Sequence, residues 1–487
     1  MSQQLPVLYA IRARFTPDED RFQRAKFASN RMREIFSTWN HVKYERVLGH
    51  GGMGMVQLWS IFNEQHTQIE RNVAIKFPIV ENESNKISLR SEIDWGSKLF
   101  ANLMHFVQLV DIEGTPPEGA MMRMTNSLIS DPPILVMEAL TKCNLLELIS
   151  WHNESRDDTE EKMNNETLLH RSDPRNAAAW DRQKFAYIPN RVLWKFFLCL
   201  VRGVIGMAWS PNDYPGGPVP APNGPILEEL PPLDATGRPP PESRIIHFDL
   251  DILNVMVGDV DFAEHSLAPS LKVADYGLTL RWDETASNNR KRRYIGRGKT
   301  HYQAPEQRRP HRATDPRYHI GIELNIWAIG MIMFDLLTLS HPSPIANWHG
   351  QNRWLPVPGT LGGMDLIRTW GWALLDPPPG VAAPAPTEFI AAYDVNLRYL
   401  IALCMADETS RRPRIEDLYN AVVGGMNEAD ARVYFYPNPE NHELNGIHYH
   451  PLRPSPVESD NIINRWYYDY FINPPEREDI YAGRWDE

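Results

Sequence analysis

The chain has 487 residues, of which 42% are hydrophobic, with 15 tryptophans and a formal net charge of -12. This length and apolar content allow a sizeable core and exclude a wholly disordered protein, and acidity spread along the chain argues against a broad nucleic-acid-binding surface. Cys143, Cys199 and Cys404 lie far apart without metal-ligand spacing, so they read as buried or partly buried thiols of a reducing compartment.

The opening MSQQLPVLYAIRARF has only a short apolar stretch and lacks secretory-signal order. The longest apolar runs, FFLCLVRGVIGMAW and IWAIGMIMFDLLTL, are too short or interrupted to span a bilayer. The expectation is an intracellular protein, cytoplasmic or nuclear, with no membrane partner and no nucleic-acid partner.

Thr16, Pro17, Asp18 and Glu19 supply a cap, a first-turn proline and a capping acid, and Phe22, Ala25, Met32, Ile35 and Phe36 then recur at helical spacing, which predicts a helix over 16–36. Short strands with turns follow from Tyr44 to Val80, then a helix over 86–104 and a buried strand in ILVMEAL, 134–140. Polar residues 151–184 predict a surface insertion, and 186–209 a long buried helix. The stretch 211–241, about one proline in three, cannot be regular secondary structure. It reads as an exposed loop, with a ligand for a partner as the alternative. Two strands near 252–257 and 271–274 precede a loop rich in Arg, Lys and Asn that runs to about 303. Helices are expected over 321–341 and 394–426 around a Pro/Gly-rich loop region at 350–388, and the aromatic tail from 431 should lie against the domain. A strand-rich part followed by a helix-rich part predicts an α+β domain of two lobes.

Four constellations carry chemistry. In GHGGMGMV, Gly49, Gly51 and Gly54 before Val56 let the backbone approach phosphate oxygens, although such a run alone also suits an ordinary hairpin. Lys76 ends the strand VAIK, which contains Ala74; alone it reads as a snorkelling surface lysine, but after a glycine loop it can reach phosphates, held by Glu92 of the next helix. In HFDLDILNVMV, Asp249 can orient a hydroxyl and accept its proton, and Asn254 can offer an amide oxygen to a metal. In LKVADYGL, Asp275 supplies a hard oxygen ligand for Mg2+ before the turn at Gly277.

In this order the elements resemble the eukaryotic protein kinase superfamily: glycine loop at 49–56, VAIK at 73–76, HxDLxxxN at 247–254, DYG at 275–277 and YQAPE at 302–306. The resemblance implies a two-lobed kinase-like domain over 44–426, with a strand-rich lobe to about 137, a hinge at 138–140, and a helical lobe over 141–426 with insertions near 151–184, 211–243 and 345–390. Residues 1–43 then form an N-terminal helical extension, and 427–487 an aromatic and proline-rich C-terminal one. ATP is expected between the lobes, against Gly49, Gly51, Gly54, Val56, Ala74, Lys76, the gatekeeper Met137 and the hinge residues Glu138 and Leu140, with Mg2+ on Asn254 and Asp275. Glu306 should pair with Arg412.

The pattern departs from the family at informative places. Phe248 replaces the arginine that usually receives activation-loop phosphate, so regulation through that pair is unavailable. Asp251 stands where serine/threonine kinases carry a lysine that meets the transferring phosphate; a like-charge pair about 4 Å apart costs up to ~4 kcal/mol at an effective dielectric near 20. Lys299 stands where the threonine partner of that lysine is expected, so either the two charges are exchanged and pair with each other, or both point to solvent, or Thr300 takes the threonine role after a one-residue slip. Asn325 replaces the aspartate that anchors the catalytic loop, and Gly96 replaces a larger apolar residue behind the DYG tyrosine, which should loosen the helix there. The resemblance implies transfer of the ATP γ-phosphate to serine or threonine of a protein or peptide substrate. The alternatives are a pseudokinase acting as a nucleotide-binding scaffold, and a small-molecule phosphotransferase on a related fold.

Overall fold

The computed structural model describes residues 19–37, 39, 41–51, 54–63, 65, 67–110, 112, 126–129, 131–165, 187–213, 225–261, 264–308, 319–341, 353–358, 364–376, 388–391, 393–435, 458–474 and 485. The architecture is mixed α+β, with a four-stranded antiparallel sheet in the N-terminal region and helices later.

Helix α1 (Glu19–Phe36) buries Phe22, Ala25, Ala28, Met32 and Phe36, the recurrence of one apolar face. The cap expected at Thr16 to Asp18 lies outside the described residues. Strands β1 (Val42–His50), β2 (Gly54–Phe62), β3 (Ile69–Pro78) and β4 (Leu135–Glu138) pair in chain order. α1 covers one face of this sheet: the Phe36 and Trp59 rings lie 5.2 Å apart, and the buried Gln57 amide donates to Ser29 Oγ at 2.7 Å. That bond satisfies a polar group which would otherwise be costly in an apolar layer. The cluster also takes in Trp485, from near the other end of the chain.

Helix α2 (Glu83–Lys98) opens at Asn82, whose side chain accepts the Asn85 N–H at 2.8 Å, and it ends before the expected residue 104. A second core gathers α3 (Leu145–Asn165) and α4 (Asn190–Ala208), of which every residue but Lys195 is buried in α4. Pro189 gives α4 no side-chain cap; the Glu458 carboxylate of the tail takes the Asn190 and Arg191 N–H groups instead, at 2.8 and 2.9 Å. Two short antiparallel pairs follow, β5 (Ile245–Ile246) with β8 (Leu280–Arg281) and β6 (Val255–Val257) with β7 (Leu271–Val273). Then come α5 (Asn288–Ile295), α6 (Pro305–Arg308), α7 (Glu323–Thr338), the hairpin β9 (Arg353–Pro358) and β10 (Met364–Thr369), α8 (Val395–Cys404), α9 (Ile415–Phe435) and α10 (Asp460–Tyr467), which continues as a π-turn to Ile472.

Several expectations are corrected. The polar segment from 151 begins as helix, since α3 runs to Asn165 with Trp151 and His152 buried, His152 against the tail; the remainder of that expected insertion, 166–184, lies outside the described residues. The proline-rich stretch has no regular structure over 227–243, but it is not simply exposed: Ile226 and Glu228 are buried, and Ile226 bridges Leu103 in parallel register. The basic loop before 303 contains the helix α5, capped by Ser287, and the Pro/Gly-rich loop region holds the β9–β10 hairpin. The long C-terminal helix passes 426 and ends at Phe435. As expected, α10 and the π-turn lie against the helical core through Ile463, Trp466, Tyr470 and Phe471. Cys143, Cys199 and Cys404 are buried and unbridged. Among the described residues no helix is long and apolar enough to cross a membrane.

Candidate active site

The β1–β2 turn brings the glycines to the edge of the sheet, where the Gly51 N–H donates to the Gly54 carbonyl at 2.8 Å. Val56 lies opposite Gly49 on one side and Lys76 on the other, while Ala74 lies opposite Met137. These residues therefore share one end of the sheet. Glu138 is half-buried, its carboxylate held by the Gln108 N–H at 2.9 Å and Lys272 Nζ at 2.7 Å. Leu140, two residues on, is half-buried.

Beneath that edge, Lys76 Nζ sits 2.7 Å from Glu92 Oε2 and 3.1 Å from Asp275 Oδ1. Burial works to lower the Lys76 pKa, but the Asp275 and Glu92 carboxylates outweigh it and hold the ammonium above its ordinary value. Burial also acts to raise Asp275, yet Lys76 keeps that carboxyl below the usual range. Asp275 adopts a left-handed backbone, φ 61°, which turns the chain into the short helix of Tyr276 to Leu278. Tyr276 is buried, and its hydroxyl donates to the carbonyls of Val273 and Val107 at 2.7 and 3.1 Å. The expected looseness at Gly96 is corrected: Leu109 occupies the space, so close that a Cβ on Gly96 would lie 3.0 Å from its Cγ.

The loop from His247 to Asn254 is fixed from three directions. The β6–β7 pairing sets Asn254 beside Ala274, whose N–H donates to the Asn254 carbonyl at 2.8 Å. His247 is buried, with Nε2 3.1 Å from the Ala274 carbonyl and Nδ1 accepting the Asp249 N–H at 3.3 Å; burial pushes its pKa down to about 4, so the ring is neutral. Asn325, on α7, accepts the His247 N–H at 3.1 Å and donates to the Ile245 carbonyl at 2.9 Å. An aspartate could not make the second bond, so the asparagine anchors this loop in its own way. Asn254 Nδ2 donates to Asp249 at both the backbone carbonyl, 2.7 Å, and Oδ2, 3.1 Å, which leaves its Oδ1 as the atom to offer a metal. Burial raises the Asp249 pKa to about 6 against the pull of Lys299.

Lys299 and Asp251 are brought together: Lys299 Nζ bonds Asp251 Oδ2 and stands 3.9 Å from Asp249 Oδ2. Thr300 is exposed. Asp251 is 1% exposed and also accepts the Leu253 N–H at 2.9 Å. Removing the lysine would strand a buried carboxylate. Lys299→Ala is expected to lower stability by about 1–3 kcal/mol, the cost of a buried group left unsatisfied, and to reduce any activity of the site; unchanged melting and unchanged turnover would remove the pair from the argument.

The preceding segment is seated by backbone contact. Phe248 has φ 64°, and Gly298, φ +82°, lies against it so closely that a Cβ there would fall 1.9 Å from the Phe248 carbonyl oxygen. Gln303 and Gln307 tie the end of α5 by donating to the Gly296 and Ile295 carbonyls at 2.9 and 2.8 Å. Gly298→Ala should therefore cost more than the ~1–2 kcal/mol of a left-handed non-glycine residue, and faster limited proteolysis between 288 and 303 would report it. Glu306 and Arg412 meet as a buried bidentate pair at 2.7 and 2.8 Å, with Arg412 also donating to the Ala406 and Glu323 carbonyls and lying 5.0 Å over the Trp327 ring. The sequence alone missed the seating role of Gly298, Gln303 and Gln307; a glycine shortly before the 302–306 motif was the available signal.

The arrangement thus joins a cation held between two carboxylates, a half-buried carboxylate with raised proton affinity and an amide oxygen. No protein-family model and no curated protein matches the chain.

Proposed function

We propose that the chain is an ATP-dependent protein kinase of the two-lobed fold, transferring the γ-phosphate of ATP to serine or threonine of a protein or peptide. The observation that carries this is the Lys76 ammonium bridging Glu92 and Asp275, with Asp249 and Asn254 on the adjoining loop. Lys76 is preorganised to meet phosphate oxygens, because its charge is already held in place by two carboxylates. Asp249 accepts the hydroxyl proton of the substrate, and Asn254 holds it in orientation.

The donor set suits Mg2+, since Asn254 Oδ1 and an ionised Asp275 are hard oxygen ligands. When bound, Mg2+ neutralises phosphate charge. Lys299, between α5 and α6, places an ammonium beside Asp249, in place of the lysine that Asp251 replaces. Phe248 cannot pair with a phosphate, so regulation through that pair is unavailable, and Gly298 with the two glutamines holds the end of this segment instead.

The test is phosphate transfer from labelled ATP with Mg2+, to the protein itself and to a degenerate peptide set, beside an Asp249→Asn control. Label on serine or threonine that vanishes in the control supports the kinase. Folded protein that binds nucleotide but transfers nothing is the result expected of a nucleotide-binding scaffold.

A further inference from the structure

Away from the cleft, one cluster of buried side chains has no part in the chemistry above. His105 lies between α2 and β4, Cys199 in the middle of α4, and His265 in the connection from β6 to β7. They are 0%, 1% and 2% exposed, and one donor atom from each lies within 4.8 Å of the other two.

Glu228, from the proline-rich stretch, is fully buried beside them. Its Oε2 lies 2.6 Å from His105 Nδ1, and its Oε1 accepts the His105 backbone N–H at 3.0 Å. A carboxylate there makes Nδ1 the donor and leaves the lone pair on Nε2, a nitrogen that is buried with no hydrogen-bond partner. Cys199 Sγ is 3.8 Å from His265 Nδ1, and His265 Nε2 is likewise buried with none. The two imidazoles stand edge to face, their centroids 5.4 Å apart.

We propose that His105, Cys199 and His265 form a buried binding site for a zinc-type divalent cation, with Glu228 orienting His105 from behind. The donor set is one thiolate and two imidazoles, which suits zinc far better than magnesium or calcium. Glu228 on the far nitrogen of His105 is the outer carboxylate that orients histidine ligands and raises their basicity. A cation among the three donors would give the His105 nitrogen that has no hydrogen-bond partner a ligand role.

The site would fasten four segments distant in sequence: the connection after α2, helix α4, the β6–β7 connection and the proline-rich stretch. Arg202 supports the same corner, donating to the Glu228 carbonyl at 2.5 Å and pairing with Glu264. Because the ligands are enclosed, the ion enters during folding.

The experiment uses the full chain, refolded with Zn2+ or with Co2+ and passed into metal-free buffer. About one zinc per chain is expected, with a sulfur-to-cobalt charge-transfer band in the Co2+ form. Cys199→Ala should lose both, while Cys143→Ala and Cys404→Ala keep them. Since Cys199→Ala risks misfolding, X-ray absorption on the unaltered zinc protein serves as the second measurement, and a shell containing one sulfur with nitrogen is expected. Folded wild-type protein that stays metal-free after refolding in Zn2+, or a bound ion with no sulfur neighbour, would overturn the site. Neither result bears on phosphate transfer.

Discussion

Asp249→Asn is expected to lower phosphate transfer by about 10²–10⁴-fold, the range a positioned general base contributes, while leaving nucleotide binding intact. The substitution keeps the shape of the side chain and the bond from Asn254 Nδ2 to the residue 249 carbonyl. It removes the capacity to accept a proton, together with the negative charge that faces Lys299. Transfer by the unaltered protein should fall as pH drops through about 6, because burial, against the attraction of Lys299, raises the Asp249 carboxyl to that value and the base works only when ionised. Residual transfer in the variant should show no such step. A variant as active as the parent, or a wild-type profile flat between pH 5 and 8, would refute the role.

Arg412→Ala should be the most destabilising of the changes considered, by about 3–5 kcal/mol, the cost of breaking a buried pair and leaving one charge uncompensated. Glu306 and Arg412 are both 0% exposed in their side chains, so water cannot replace the lost guanidinium. Three further contacts go with it, to the Ala406 and Glu323 carbonyls and the face of Trp327. Thermal or denaturant unfolding gives the number directly. The Glu306→Gln, Arg412→Ala double variant should recover part of the loss, because it removes the stranded charge; a single variant within about 1 kcal/mol of wild type would mean the pair contributes little.

The α+β order was legible in the sequence because β2, β3 and β4 carry the runs of Val, Ile and Trp that buried strands favour, while Phe22, Ala25, Met32 and Phe36 mark a helix face. The bridge from Lys76 to Glu92 was also legible, as a strand-end lysine followed by a helix acid. What stayed hidden depends on partners far along the chain. The start of 151–184 looked like a solvated insertion because Trp151 and His152 stand among polar neighbours. The tail covers His152, where Trp466 Nε1 donates to His152 Nε2 at 3.0 Å and the Tyr470 ring lies 4.0 Å from the imidazole. The proline-rich stretch misled for the same reason, since composition shows why it cannot form a helix but not that Ile226 docks beside Leu103. The spacing of His105, Cys199 and His265 resembles no metal motif, because three separate elements bring them together. Lys299 and Asp251 fell between these cases: exchange of charges was readable, while their contact stood as one alternative beside two side chains pointing to solvent.

Trp485 packs on the N-terminal part of the molecule, its ring tilted 4.9 Å from that of Phe22 and edge-on 5.7 Å from that of His50 beside the glycine turn, while residues 460–472 are fastened to the helical part. The chain therefore returns from the core that holds Phe471 to the core that holds Phe22, in addition to its earlier passages between them at Phe77–Phe100, Phe106–Ile112 and Val136–Cys143. The two cores are thus tied to each other at several separated points of the chain, one of them through the Trp485 indole.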